Sequence, residues 1–167
     1  TSLVTSLRRD IERREDLYEG QMHMDKLLGM AEETGLPGLS IPDRNGNEIS
    51  LSDLKGKVVL VIFWASGNEE SVRTLINLQP IYDRYRDRGF EIYAVSLDNE
   101  KVLWMNAIDF NEFDWINVSE LSYPESKADM LYNVTRLPAG FLVSREGDIV
   151  ARDLYGKTLE TWLDNLL

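Results

Sequence analysis

Two short runs of this 167-residue chain are hydrophobic at almost every position and rich in β-branched residues. They lie at residues 57–64 and 90–97, and unbroken runs of this length predict strands covered on both faces. Between them, apolar residues recur at helical spacing over residues 72–85, which predicts a long helix. A strand, a helix and a second strand in this order indicate a parallel strand pair with a helical crossover.

The polar loop at residues 66–71 leads into this helix. Ser66 and Glu69 have the spacing of a capping box, in which each side chain bonds to the other residue's backbone. Pro80 lies inside the helix and is expected to kink it, because proline removes a backbone donor and crowds the preceding turn. Gly89 is expected to end it.

The remaining elements alternate with turns rich in Gly, Asn and Asp, and they complete an α/β layout with an antiparallel edge. We predict hairpins at 39–51 and 141–151, a strand at 115–118, and helices at about 100–111, 127–132 and 159–167. Trp104, Trp115 and Trp162 lie in or beside these elements, where packing explains them better than ligand binding does.

Residues 1–34 form a separate unit, which we predict to be a helical N-terminal extension or linker before a main domain at 35–167. Leu3, Leu7 and Ile11 recur every fourth residue with charged residues between them, as in an amphipathic helix. Such a segment could pack on the main domain, link it to an upstream domain, or dimerise. We expect the chain, which begins without Met, to be part of something longer.

Composition excludes several classes of function. The formal net charge of −11 argues against binding nucleic acid or an anionic membrane surface. No apolar run approaches the roughly 20 residues of a membrane-spanning helix, and the N-terminus lacks the apolar core of a signal peptide. The absence of cysteine excludes disulfides and thiolate metal sites, and a single histidine cannot build a histidine-rich one. We therefore expect no cofactor and no metal.

Three local signatures carry a family resemblance: VIFWAS at 61–66, YNVTRLPAGFLV at 132–143, and EGDIV at 146–150. In this order and spacing they resemble the thioredoxin superfamily over roughly residues 37–167. The resemblance is strongest to the TlpA/ResA type of envelope-associated thiol–disulfide oxidoreductase, related to the AhpC/TSA branch. It implies a thioredoxin-like three-layer α/β/α sandwich with a mixed central sheet, and a cis-proline at Pro138.

The chain departs from that family where the chemistry should be. The family's strand leads into Trp-Cys-x-x-Cys, and alignment places Gly67 at the Trp position and Asn68 and Ser71 at the two Cys positions. An amide is not a redox nucleophile, and a serine hydroxyl needs a positioned base to attack. We therefore predict no catalytic residue. Instead, Ser66 or Asn68 caps the helix, and Glu69 complements its dipole.

The resemblance also implies a groove that binds extended polypeptide backbone, here lined by Trp64, Gly67, Asn68, Leu137 and Pro138. The favoured function is a redox-inactive, protein-binding or structural module of a larger envelope protein. One alternative is an enzyme with Ser71-based or glutathione-binding chemistry. Another is a purely structural domain that assembles through its helical N-terminus. The sequence leaves the oligomeric state open.

Arg136, beside the proline loop, could pair with Glu69 or Glu70 across the former cysteine site. The alternative, which we favour, is that Arg136 is ordinary surface charge, because an exposed ion pair contributes only about 0–1 kcal/mol.

Overall fold

The computed structural model describes residues 39–121 and 137–167. The predicted N-terminal extension at 1–34, the predicted short helix at 127–132 and Arg136 lie outside these residues. The strands are β1 Ser40–Pro42, β2 Glu48–Ser50, β3 Val58–Trp64, β4 Phe90–Ser96, β5 Ile116–Ser119, β6 Ala139–Val143 and β7 Ile149–Arg152. The helices are α1 Glu69–Tyr85, α2 Lys101–Asn111 and α3 Gly156–Leu166, with 3₁₀ turns at Leu51–Leu54 and Arg86–Arg88.

β3 is the middle of a five-stranded mixed sheet with the order β5-β4-β3-β6-β7. It pairs in parallel with β4, from Val58 opposite Phe90 to Trp64 opposite Ser96, and antiparallel with β6. All seven β3 residues are buried, which explains why its sequence is apolar at every position instead of alternating. The predicted thioredoxin-like α/β fold is confirmed.

Alternate residues of β3 supply two separate hydrophobic cores. One set of side chains, including Leu60 and Ile62, packs under all three described helices. The other set, including Val61 and Phe63, packs under the β1–β2 hairpin and the 3₁₀ turn that follows it. The two cores fix the register of β3 together. Moving β3 by one residue would direct each set of side chains to the opposite face of the sheet and disrupt both cores.

Aromatic side chains fill the core beneath the helices. The ring of Trp64 meets Phe113 edge-on with centroids 5.8 Å apart, and Phe113 stacks on Trp115 at 5.0 Å. Tyr82 of α1 closes this row by meeting Trp115 edge-on at 5.7 Å. Edge and offset arrangements of this kind add about 0.5–1.5 kcal/mol per pair beyond burial. Trp104 is also buried, as expected, whereas Trp162 on α3 is 37% exposed.

The β1–β2 hairpin covers the second core and reaches the edge of the sheet. Its strands pair antiparallel, with Ser40 opposite Ser50, and Asp43 forms an isolated antiparallel bridge with Val118 of β5. The hydroxyl of Tyr93 donates to the carbonyl of Ile49 at 2.7 Å, which anchors the hairpin to the sheet.

The predicted strands, hairpins and helices within the described residues are confirmed, with ends that differ by a few residues. α1 continues as one helix through Pro80 to Tyr85. It then tightens into the 3₁₀ turn and ends at Gly89, whose φ of 99° needs glycine. Over the described part of the chain, none of the helices combines the length and apolarity needed to cross a bilayer.

Alkaline stability should depend on Tyr82. Burial, and next the charge of Glu91, raises the pKa of Tyr82 from 10.0 to about 12, so the folded chain holds this proton more tightly than the unfolded chain. The stabilisation is complete below pH 10 and is lost as the pH approaches 12. Across this window the folded wild-type chain should bind about one proton more than the unfolded chain, and Tyr82→Phe should remove that difference. The pH dependence of the free energy of unfolding, measured in urea, reports the difference. An unchanged pH dependence in the variant would contradict the assignment.

Candidate functional site

The candidate site lies where the parallel strands end. Ser66 follows β3 by two residues, Ser96 is the last residue of β4, and Ser119 is the last residue of β5. In α/β sheets, ligands bind beyond the carboxyl ends of the strands, because the loops and helix N-termini converge there. The three serine hydroxyls therefore lie at the edge of the sheet where ligands bind in folds of this class.

Asp98 joins two of these loops. Its carboxylate accepts hydrogen bonds from the backbone amide of Ser66 at 3.2 Å and from the Ser66 hydroxyl at 2.6 Å. It also accepts one from the Ser96 hydroxyl at 2.5 Å, and its own amide donates back to that hydroxyl at 3.0 Å. Bonds to a carboxylate are about twice as strong as neutral ones, so Asp98 clamps the β3 loop to the β4 loop.

This clamp overturns the predicted capping box. The Ser66 hydroxyl is already committed to Asp98, and the residue that precedes the first turn of α1 is Asn68. The Asn68 side chain accepts a hydrogen bond from the backbone amide of Ser71 at 2.7 Å, which satisfies one of the free donors at the helix start. The alternative prediction, that Asn68 is the cap, is confirmed.

Ser71 lies in the first turn of α1, where its buried side chain cannot contact a substrate. Its side chain has 0% exposure, and its hydroxyl has no hydrogen-bond partner in the described structure. A nucleophile must contact its substrate and needs a base within hydrogen-bond distance. The chain has no cysteine, and the described residues contain no group of three or more residues able to hold a metal ion.

The proline loop lies beside the β3 loop. The Leu137–Pro138 peptide bond is cis. Pairing of Phe63 with Ala139 brings Pro138 next to the end of β3. Asp153 supports this segment from the neighbouring strand: its carboxylate accepts from the Gly140 amide at 2.9 Å, and its own amide donates to the Gly140 carbonyl at 2.8 Å.

The five residues predicted to line a groove divide into two groups. Gly67 is exposed, and Asn68 and Pro138 are half-buried, so these three reach the surface at the same end of the sheet. Trp64 has 0% exposure and Leu137 has 5%, because the strand alternation directs each of them into one of the two cores. Their side chains support the loops from below and do not line a surface. Binding by the other three remains a prediction.

Acidic groups surround these surface residues. Glu69 and Glu70 are exposed in the first turn of α1, and neither residues 65–70 nor residues 137–140 include Lys or Arg. Burial, followed by the charges of Asp153 and Glu70, raises the pKa of the Tyr155 hydroxyl. Among the described residues, these carboxylates therefore disfavour a bound anion at the exposed surface of Gly67, Asn68 and Pro138.

Sequence reasoning missed Asp98 and Asp153. A signal for Asp98 was present, since a serine and an aspartate two residues apart at the end of a buried strand are placed to hold a neighbouring loop. Nothing local distinguished Asp153, whose partner Gly140 is 13 residues away.

Known proteins resemble this chain over most of its length. The model of the AhpC/TSA family matches residues 33–152. The thiol-disulfide oxidoreductase ResA of Bacillus cereus is 26% identical over 86% of this chain and 80% of its own length. ResA of Bacillus subtilis is 30% identical over 72% of this chain and 66% of its own length.

Solved structures of thiol-disulfide proteins also resemble this chain. A thiol-disulfide oxidoreductase from Bacteroides fragilis matches with a TM-score of 0.71 and 28% identity, covering 80% of this chain and all of its own. A thiol:disulfide interchange protein from Bacteroides sp. matches with a TM-score of 0.66 and 34% identity, covering 75% of this chain and 83% of its own.

Removing the Asp98 carboxylate should release the β3 loop. We expect Asp98→Ala to lower the free energy of unfolding by about 2 kcal/mol, because hydrogen bonds to a charged group contribute more than neutral ones. Asp83→Ala, which removes an exposed carboxylate from α1, is the matched control and should change stability little. Urea unfolding measures both. Combining Asp98→Ala with Ser66→Ala should cost less than the sum of the single changes, and strict additivity would contradict the clamp.

Proposed function

Because the chain belongs to the AhpC/TSA family, we propose that it is a redox-inactive member of it that serves as a polypeptide-binding module. The proposal rests on the two residues at the start of α1 that align with the family's cysteines. Asn68 occupies the position of the family's first cysteine as a helix cap, and Ser71 is buried at the position of the second. The position that presents a reactive thiolate in the family therefore stabilises the helix here.

Redox inactivity follows from the chemistry of exchange. Thiol–disulfide exchange proceeds through attack by a thiolate, and this chain has no cysteine to supply one. The Ser71 alternative is weaker, because the hydroxyl has 0% exposure and the carboxylates of Glu69 and Glu70 oppose an alkoxide or an anionic peptide such as glutathione. We therefore do not favour a transferase function.

The binding surface we propose consists of Gly67, Asn68 and Pro138. Extended polypeptides bind such surfaces by adding backbone hydrogen bonds at the edge of loops or strands, so recognition does not need a nucleophile. The Asp98 clamp and the Asp153 bonds hold the two loops in place, which reduces the entropy lost on binding. Since the surrounding charges are carboxylates, the favoured ligand is a neutral or basic extended segment.

The compartment we propose is the cell envelope, within a larger envelope protein. Its support is the resemblance to envelope-associated oxidoreductases of the TlpA/ResA type. An acidic, cysteine-free domain is compatible with an oxidising compartment because it offers no thiol for unwanted disulfides.

Redox inactivity can be measured directly. In a dithiothreitol-coupled disulfide-reduction assay, the wild-type chain should give no rate above the uncatalysed background. The double variant Asn68→Cys, Ser71→Cys should gain activity, because the first thiol would stand at the N-terminus of α1, where the helix dipole favours thiolate. The Ser71→Cys single variant is the control and should remain inactive. Turnover by the wild-type chain would refute the proposal.

Peptide binding can be tested by blocking the surface without disturbing the fold. A β-carbon added at Gly67 would meet no described atom within 4 Å, so the side chain of Gly67→Trp starts in open space and should cover the surface without disturbing the backbone. Among short extended peptides of graded charge, the wild-type chain should prefer neutral and basic ones in fluorescence anisotropy. Gly67→Trp should weaken this binding by about tenfold or more, equivalent to 1.4 kcal/mol.

Asn165→Trp, at an exposed position near the end of α3, adds the same side chain elsewhere and should leave peptide binding unchanged. Equal loss in both tryptophan variants, or no saturable binding by the wild-type chain, would refute the binding module.

A further inference from the structure

α2 has an apolar face that no described residue covers. On its inner side Trp104 and Ile108 are buried in the core. On its outer side Leu103 and Phe110, two helical turns apart, flank the half-buried Ala107. The exposed fractions of the large outer side chains are 67% for Val102, 52% for Leu103 and 87% for Phe110. We call Val102, Leu103 and Phe110 the α2 outer face; the exposed Asn106 lies beside them.

An exposed surface of this kind indicates an occupant. A surface helix normally has one apolar side and one polar side, whereas a helix that is apolar all round is covered on both. Covering a side chain such as Leu103 or Phe110 stabilises the covered state by about 1.5–3 kcal/mol. Exposed apolar side chains that lie together on one helix therefore mark a docking surface.

Acidic residues stand at both ends of the α2 outer face. Glu100 is the residue before the first turn of α2, Glu112 follows its last turn, and Asp114 comes two residues later. None of these three carboxylates forms an ion pair within the described residues, whereas Asp109 pairs with Arg44 at 2.8 Å. The matching occupant is therefore an amphipathic helix with apolar residues at helical spacing and basic residues beside them.

We propose that residues 3–14 of this same chain form that helix and dock on the α2 outer face. Leu3, Leu7 and Ile11 supply an apolar stripe with the required spacing. Arg8 and Arg9 lie between these apolar residues, and Arg13 and Arg14 follow them. With Asp10 and Glu12 counted, residues 8–14 carry a net charge of +2 in a chain whose net charge is −11, and their basic side chains complement the carboxylates at the ends of α2.

A second copy of the domain fits this face less well. It would bring the same carboxylates against one another, since the face would meet an equally acidic surface. The few exposed side chains also fall short of the roughly 800 Å² that each partner of a stable interface buries. A segment tethered to the same chain needs less area, because its effective concentration is high.

The tether is long enough. Residues 15–38 separate the proposed helix from Leu39, and 24 extended residues span at most about 85 Å. Leu39 is bonded to the hairpin region through its carbonyl, which accepts from the Leu51 amide at 3.0 Å. The same hairpin is fixed beside the last turns of α2 by the bidentate pair between Arg44 and Asp109. The segment therefore joins the domain at the hairpin, which reaches the last turns of α2 through this ion pair.

Amide hydrogen exchange on the full chain tests the proposal. We expect residues 3–14 and α2 to be protected together in the wild-type chain. Phe110→Asp and, independently, Leu7→Asp should each speed exchange in both segments by about tenfold or more, equivalent to 1.4 kcal/mol. Val150→Asp places the same charge at a 36% exposed aliphatic position on β7, at the opposite edge of the sheet, and should change neither. Leu7→Asp leaves the described domain intact, so misfolding cannot mimic its effect.

Charge reversal tests whether residues 3–14, and not another partner, cover the α2 outer face. Changing Arg8, Arg9, Arg13 and Arg14 together to Glu should abolish protection, and adding Glu100→Lys and Glu112→Lys should restore part of it. Rapid exchange of residues 3–14 in the wild-type chain would overturn the proposal. So would protection of α2 that rises with protein concentration alongside a dimeric mass in sedimentation, because the occupant would then be a second copy.

Discussion

Burial of β3 on both faces is the constraint on which the other elements depend. A strand with seven buried residues needs a hydrogen-bonded neighbour on each side and a packed layer above and below. α1, α2 and α3 supply one layer, and the β1–β2 hairpin supplies the other among the described residues. The carboxyl end of β3 is then held in place, so the loop that follows it needs only the Asp98 clamp to become rigid.

The rigidity of this loop is achieved without a cysteine in the chain. A reactive thiolate at a helix start must stay exposed, and the helix dipole and the free backbone donors of the first turn favour its charged form. Asn68 satisfies one of these donors, and Glu69 and Glu70 add favourable charge. Active sites commonly reduce stability for function, whereas the start of α1 in this chain is occupied by residues that stabilise the helix.

The sequence predicts the framework better than the details of the site. The apolar runs of β3 and β4 have the length, the β-branched content and the flanking turns of buried strands, and Asn68 is a strong helix cap wherever it precedes a helix. The role of Ser66 could not be predicted locally, because its partner Asp98 lies 32 residues away and becomes a neighbour only when β4 pairs with β3. The burial of Trp64 depends likewise on where Phe113 packs, which no periodicity encodes.

The bridge between Asp43 and Val118 gives the two edges of the sheet different properties. At β5 the hairpin occupies hydrogen-bonding groups that an incoming strand would need, whereas β7 has no strand beyond it among the described residues. A register shift between Leu142 and Val143 distorts the pairing of β7 with β6. Intermolecular strand pairing, the first step towards ordered aggregates, is therefore more accessible at β7 than at β5 in the described part of the chain.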